Sequence, residues 1–194
     1  MLKEKLKLKG KKLILGSQSP RRKELLASLN VDFDVFAKEV DETYPNGLSN
    51  KEIAEYLANL KSIVFKPLSN EIIITADTIV CVDNEILGKP STKTEASQML
   101  KKLSARAHEV ITGVSIKSMN NEYTFSDTTS VHFGKLTYDE IDYYIDTYKP
   151  YDKAGSYGIQ EWIGQIGITK IEGSYFNVMG LPVHRVYAEL LKIC

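Results

Sequence analysis

The sequence predicts a mixed α/β protein of two lobes, a curved sheet with flanking helices. Three observations predict it. Apolar, β-branched runs that read as strands alternate with stripes of helical period. Three of those stripes open on the same S/T-x-x-E signal. A hairpin pattern then interrupts the βαβ rhythm that a pure doubly wound sheet would keep.

Taken in order, 13–16 is a short buried strand that runs straight into Ser17-Gln18-Ser19-Pro20-Arg21-Arg22. A helix starts at Pro20, with Ser19 as its N-cap and proline at the first helical position. Leu25, Leu26 and Leu29 form its apolar stripe, and Asn30 closes it. Residues 31–36 alternate apolar and acidic side chains, as a half-buried strand does. A polar loop with Asp41, Glu42, Pro45 and Gly47 follows. Ser49/Glu52, Thr92/Glu95 and Thr137/Glu140 then announce three helices. Between the first two, 72–82 is apolar on both faces and reads as a strand covered on both sides. Residues 110–116 and 123–133 flank a polar stretch as a hairpin does, 166–171 is a late strand, and a final helix begins near Pro182.

At 194 residues the chain suits one domain, 1–194, whose first eleven residues read as a lysine-rich extension. Hydrophobic residues make up 43% and charged residues 26%, so a packed core is affordable to an ordinary globular chain. Twenty-five basic residues balance twenty-five acidic ones, which argues against nucleic acid and anionic membrane as partners. The basic cluster Lys3, Lys5, Lys7, Lys9, Lys11 and Lys12 is followed by neither a long apolar run nor a small-residue cleavage pattern. No apolar run approaches the length of a membrane span. Cys81 and Cys194 make no disulfide framework or CxxC site, and a reduced cytoplasm is the expected compartment. His108, His132 and His184 lack metal-ligand spacing and read as structural or exposed.

Four stretches carry chemistry. Arg21 and Arg22 stand in the first turn of a helix, where the macrodipole already supplies positive charge. A bound anion there resolves the conflict; so would arginines that splay into solvent or pair with Glu24. Asp77 lies inside a buried strand, where a carboxylate must be paired, hydrogen-bonded or bound to metal, or else satisfied by backbone at a bulge. Gly88-Lys89-Pro90 follows, a close-approach glycine beside a point charge. The glycine-punctuated segment 152–160 carries Asp152, Lys153, Ser156, Tyr157 and Gln160, and such loops hold ligands or simply cover a surface. Read by their spacing alone, Asp41, Glu42 and Lys61 are solvated charges.

Together, 15–22, Ala76-Asp77-Thr78-Ile79, Gly88-Lys89-Pro90, 111–114, 153–160 and 171–182 resemble the Maf family, in order, over nearly the whole chain. The resemblance implies a nucleoside triphosphate pyrophosphatase that cuts between the α- and β-phosphates. It implies the fold of the inosine-triphosphate pyrophosphatases, an active site in the central cleft, a divalent cation (Mg²⁺ or Mn²⁺) and a homodimer. It assigns Asp77 as general base acting on metal-activated water and Glu42 as a catalytic acid near the metal, which the two carboxylates would hold. Lys89 would be catalytic, and Ser17, Ser19, Arg21, Arg22 and Lys61 would hold the triphosphate. Arg21, Thr78 and Gln160 match the branch acting on dTTP and UTP, with Gln160 at the nucleobase end. The chain departs from the family pattern after Gln160: Glu161-Trp162-Ile163 stand where a glycine-rich stretch is common. The rival reading is a nucleotide-binding regulator of septum formation with little turnover.

Overall fold

The structure is a computed structural model that describes residues 10–193. Lys3, Lys5, Lys7 and Lys9 of the basic extension, and Cys194, lie outside the described residues. Strand β1 (Lys12–Leu15) leads into helix α1 (Pro20–Ala27), which Ser19 caps as expected. Strand β2 is only Phe33–Val35 and largely exposed, shorter than the alternating pattern predicted. Helix α2 (Asn50–Ile63) opens on a full Ser49/Glu52 capping box. Strand β3 (Glu71–Val82) is buried along nearly its whole length, as its apolar run requires.

Strand β4 (Glu85–Leu87) was not foreseen. It folds back on β3 through Asp83 and Asn84, both at positive φ (50° and 63°), a conformation that Asp and Asn tolerate better than most residues. Helix α3 (Lys93–Leu103) is capped by Thr92. Strands β5 (Ala107–Lys117) and β6 (Glu122–Phe133) are joined by a four-residue turn, where Ser118 N–H donates to Asn121 C=O at 2.7 Å. Helix α4 (Tyr138–Tyr148) carries the Thr137/Glu140 capping box. Two 3₁₀ turns (Pro150–Asp152 and Ala154–Ser156) lead to α5 (Trp162–Gly167). The late strand β7 begins after this helix, at Ile168–Glu172, so Ile166 is helical and the expected strand is displaced. Helices α6 (Tyr175–Met179) and α7 (Val183–Ile193) complete the described chain. The strands are ordered β2-β1-β3-β5-β6-β7 with β4 added to β3, and parallel and antiparallel pairs coexist.

Two compact units divide the chain. The first holds residues up to Asp77, Thr112–Asp127 and the chain from Gly180 onward. Its core includes Leu13, Leu15, Leu26, Ile72 and Ile74, all at 1% exposure or less, each worth roughly 1.5–3 kcal/mol when fully buried. Helix α2 lies against β5 so closely that a Cβ on Gly113 would sit 2.0 Å from the Ala54 carbonyl oxygen. Thr75 Oγ1 donates to the Ala58 carbonyl at 2.7 Å, a second tie between that helix and the sheet. The loop between β2 and α2 has little burial of its own and is fastened by Lys38. Its Nζ donates to the Val64 carbonyl at 2.7 Å, satisfying an end-of-helix acceptor, and lies 5.3 Å from the centre of the Phe65 ring.

The second unit holds Thr78–Ile111 and Thr128–Met179. His108, Phe133 and Tyr157 pack ring against ring in its interior, with His108 Nε2 and the Tyr157 hydroxyl 2.7 Å apart. Burial holds His108 down near 4, so it is neutral at pH 7 and structural, as its spacing predicted. Cys81 is buried and its thiol is pushed up to about 12 by desolvation, which leaves it unreactive.

Candidate active site

In the first unit, β1 delivers the chain to a turn whose polar groups all hold the start of α1. Ser19 Oγ accepts the Arg22 N–H at 3.4 Å, the ordinary N-cap bond. Ser17, 8% exposed, accepts the Ser19 N–H at 3.2 Å and Arg22 Nη1 at 3.4 Å. Arg22 Nε donates to the Gly180 carbonyl at 2.9 Å, so the guanidinium is held from two sides. It is thus turned inward rather than splayed into solvent. Desolvation holds its pKa below the ordinary value and Arg21 adds to that, while the charges of Asp77 and Glu42 pull it upward. The first turn of α1 contains no acidic residue to neutralise this positive corner. Two arginines in the first turn of a helix, added to the positive end of its macrodipole, make an arrangement suited to an anion.

Lys61, in the last turn of α2, faces the same carboxylates. Its Nζ lies 2.8 Å from Glu42 Oε1 and 2.5 Å from Asp77 Oδ1. Spacing alone read Glu42 and Lys61 as solvated charges; the structure gathers them around Asp77. Lys38 ties the loop that carries Glu42 to the end of α2, and nothing in its spacing announced that bond. Asp77 is itself 8% exposed and needs no bulge to satisfy it, since Lys61 supplies the paired charge.

The second unit carries the remaining residues. Thr78 follows Asp77 on β3 and is half-buried. Lys89 is exposed just after β4, and a Cβ on the neighbouring Gly88 would meet nothing within 4 Å. Gly88 C=O accepts the Gly155 N–H at 3.1 Å, which brings the Gly-Lys-Pro and 152–160 segments together. Gln160 Oε1 is buried and makes no hydrogen bond. Sequence reasoning singled out Glu161 only as a departure from pattern. In the structure it is the hub of its loop, accepting from Tyr144 and pairing with Lys153 at 3.1 Å.

Among the described residues no group of three or more His, Cys, Asp or Glu side chains could hold a metal ion. Glu42 and Asp77 are nonetheless a fitting donor set for Mg²⁺ or Mn²⁺, which take one or two carboxylates and complete their shells with water and phosphate oxygens. Both carboxylates converge on one ammonium, so an oxygen of each lies within reach of a single cation. No helix among the described residues is long and apolar enough to cross a membrane.

The fold is one found among solved structures: that of a HAM1 protein from Coxiella burnetii aligns with a TM-score of 0.51 at 15% identity, covering 94% of this chain and 99% of that one. Mixed sheet and flanking helices thus place the chain in that architectural class. Residues 12–193 match the family of Maf-like proteins, and the chain belongs to the Maf family. A dTTP/UTP pyrophosphatase of Flavobacterium psychrophilum is 52% identical over 188 residues, covering 96% of each chain. A second, of Phocaeicola vulgatus, is 52% identical over 185 residues, covering 94% of this chain and 96% of its own.

Proposed function

We propose that this protein is a nucleoside triphosphate pyrophosphatase that hydrolyses dTTP and UTP to the monophosphate and pyrophosphate. The observation that carries the reading is the convergence of Lys61 on Glu42 and Asp77, in the unit that also holds the cationic helix start at Ser17–Arg22. Names borne by relatives 52% identical over almost their full length support the same reaction.

Asp77 accepts a proton from the attacking water as its oxygen bonds to the α-phosphorus. The bond from that phosphorus to the α–β bridging oxygen breaks, and pyrophosphate leaves with the bond's electrons. Lys61, Arg21, Arg22 and Lys89 stabilise the charge that develops on the non-bridging and leaving oxygens, a largely electrostatic contribution. Ser17 and Ser19 orient the phosphates through the turn they cap. Glu42 and Asp77 would hold Mg²⁺ or Mn²⁺, which when bound lowers the pKa of a coordinated water and neutralises phosphate charge.

The substrate preference rests on Gln160 with Arg21 and Thr78. A buried amide oxygen without a donor favours a base that offers one. Uracil and thymine present an imide N–H; cytosine presents a lone pair at the same ring position. The balance of charge and the cysteine usage fit a cytoplasmic enzyme of small nucleotides.

Pyrophosphate release from a nucleotide panel, wild type beside Asp77→Asn, tests the proposal. Pyrophosphate from dTTP and UTP that disappears in the variant and on chelation supports it. Orthophosphate in its place overturns the cleavage position, and tight nucleotide binding without turnover overturns the enzyme in favour of a regulator.

A further inference from the structure

Gln160 ends a loop with little regular structure, yet the residue after it is tied down from both sides. Gly158–Glu161 is a turn closed by the Glu161 N–H donating to the Gly158 carbonyl at 3.0 Å, with Ile159 and Gln160 at its two central positions. Glu161 is also the N-cap residue of α5, but its side chain makes no capping bond to that helix. The carboxylate turns back under the turn instead. Oε1 lies 3.1 Å from Lys153 Nζ, and Oε2 accepts a hydrogen bond from the Tyr144 hydroxyl.

Each partner is itself fixed. Lys153, 8% exposed, also pairs with Asp152 at 2.7 Å. Tyr144 is fully buried on α4, and its oxygen accepts the Gly158 N–H at 3.0 Å, so one hydroxyl bonds both ends of the turn. A Cβ on Gly158 would stand 2.8 Å from Glu161 Cδ, so glycine there makes room for the carboxylate. From the far side, a Cβ on Gly164 would meet the Ile159 carbonyl at 2.0 Å, which shows how closely α5 covers the turn.

We propose that Glu161 is a positioning residue for substrate selection: its bonds to Lys153 and Tyr144 fix the 158–161 turn and thereby aim the Gln160 amide at the nucleobase. The inference rests on the reading of Gln160 as the base-recognition residue. It gives physical content to the departure of Glu161-Trp162-Ile163 from the glycine-rich pattern: an ionic clamp orders this turn. A Glu161 without its clamp would leave a lysine and a tyrosine hydroxyl buried and under-satisfied, and the turn would sample several orientations.

The test is steady-state pyrophosphate release from dTTP, UTP and CTP by wild type, Glu161→Gln, Tyr144→Phe, Gln160→Ala and the Gln160→Ala/Glu161→Gln double variant, each checked for folding by circular dichroism and melting. Turnover of dTTP by the wild type, with a lowered dTTP:CTP ratio of kcat/KM in Gln160→Ala, tests the underlying reading independently. Glu161→Gln is expected to raise KM for dTTP about tenfold with kcat changed less than about threefold, and to lower the dTTP:CTP ratio of kcat/KM, since uniform binding appears in KM. Tyr144→Phe, which keeps the Lys153 pair, should move the same quantities in the same direction by less. In the Gln160→Ala background the Glu161 substitution should no longer change the ratio, as coupled neighbours require. Two results overturn the proposal while leaving the enzyme reading intact: an unchanged KM and ratio in a folded Glu161→Gln, or an equal effect of that substitution with and without Gln160.

Discussion

Lys61 Nζ stands 2.5 Å from Asp77 Oδ1, and the same ammonium reaches Glu42, so the residue assigned as the base shares a cation with an acid from a loop thirty-five positions upstream. Removing either charge from such a cluster changes both chemistry and charge balance, and Asp77→Asn and Lys61→Met separate the two.

Asp77→Asn keeps the shape of the side chain and removes its ability to accept a proton. kcat for dTTP should fall roughly 10²–10⁴-fold if Asp77 is the base. Retention of most of the activity in a folded variant would remove the assignment.

Lys61→Met leaves Glu42 and Asp77 without their shared ammonium. The variant should melt earlier than wild type, and saturating Mn²⁺ should raise its melting temperature by more than it raises that of wild type, because the ion supplies the missing charge to the folded state alone. Equal metal-induced shifts in the two proteins would count against these carboxylates as the cation site.

His108 supplies a pH dependence. Its folded pKa, near 4, lies below the unfolded value of 6.5, so the unfolded chain binds the extra proton between those limits. Its stabilising contribution is complete above pH 6.5 and is lost as pH falls toward 4, on the order of 3 kcal/mol in all. Urea midpoints measured across that window should fall steeply for wild type and less steeply for His108→Phe.

Two glycines separate packing from function. Gly113→Ala forces a Cβ against the Ala54 carbonyl oxygen and should cost more than about 2 kcal/mol of stability, read from the urea midpoint. Gly88→Ala meets no protein atom and should melt within about 2 °C of wild type while raising KM for dTTP, if the glycine is there to let phosphate approach the backbone. Normal kinetics for Gly88→Ala would reduce it to a connecting residue.

Much of the fold was legible because its signals are local. Ser49/Glu52 and Thr137/Glu140 became full capping boxes, and the apolar run 72–82 became the buried strand. What was missed depends on distant partners. Strand β2 came out shorter than its alternation suggested, and its Asp34 and Val35 are exposed rather than half-buried. Helix α5 was not foreseen, and its Gly164 is required by close contact with the Ile159 carbonyl, which no local pattern announces. For the site, the local oddities of Arg21, Arg22 and Asp77 could be read directly. Glu42 and Lys61 could not, since two ordinary charges nineteen residues apart acquire meaning only when a loop and a helix end meet. The resemblance raised them, and the geometry supplied their relation to Asp77.

The bond from Arg22 to the Gly180 carbonyl spans 158 positions of sequence. It ties the first stretch of the first unit to the last, across both stretches of sequence that build the second unit. A contact of such separation closes a large loop and is expected to form late in folding. Amide protection followed during refolding should therefore find the Ser17–Arg22 turn among the last parts of the first unit to become ordered.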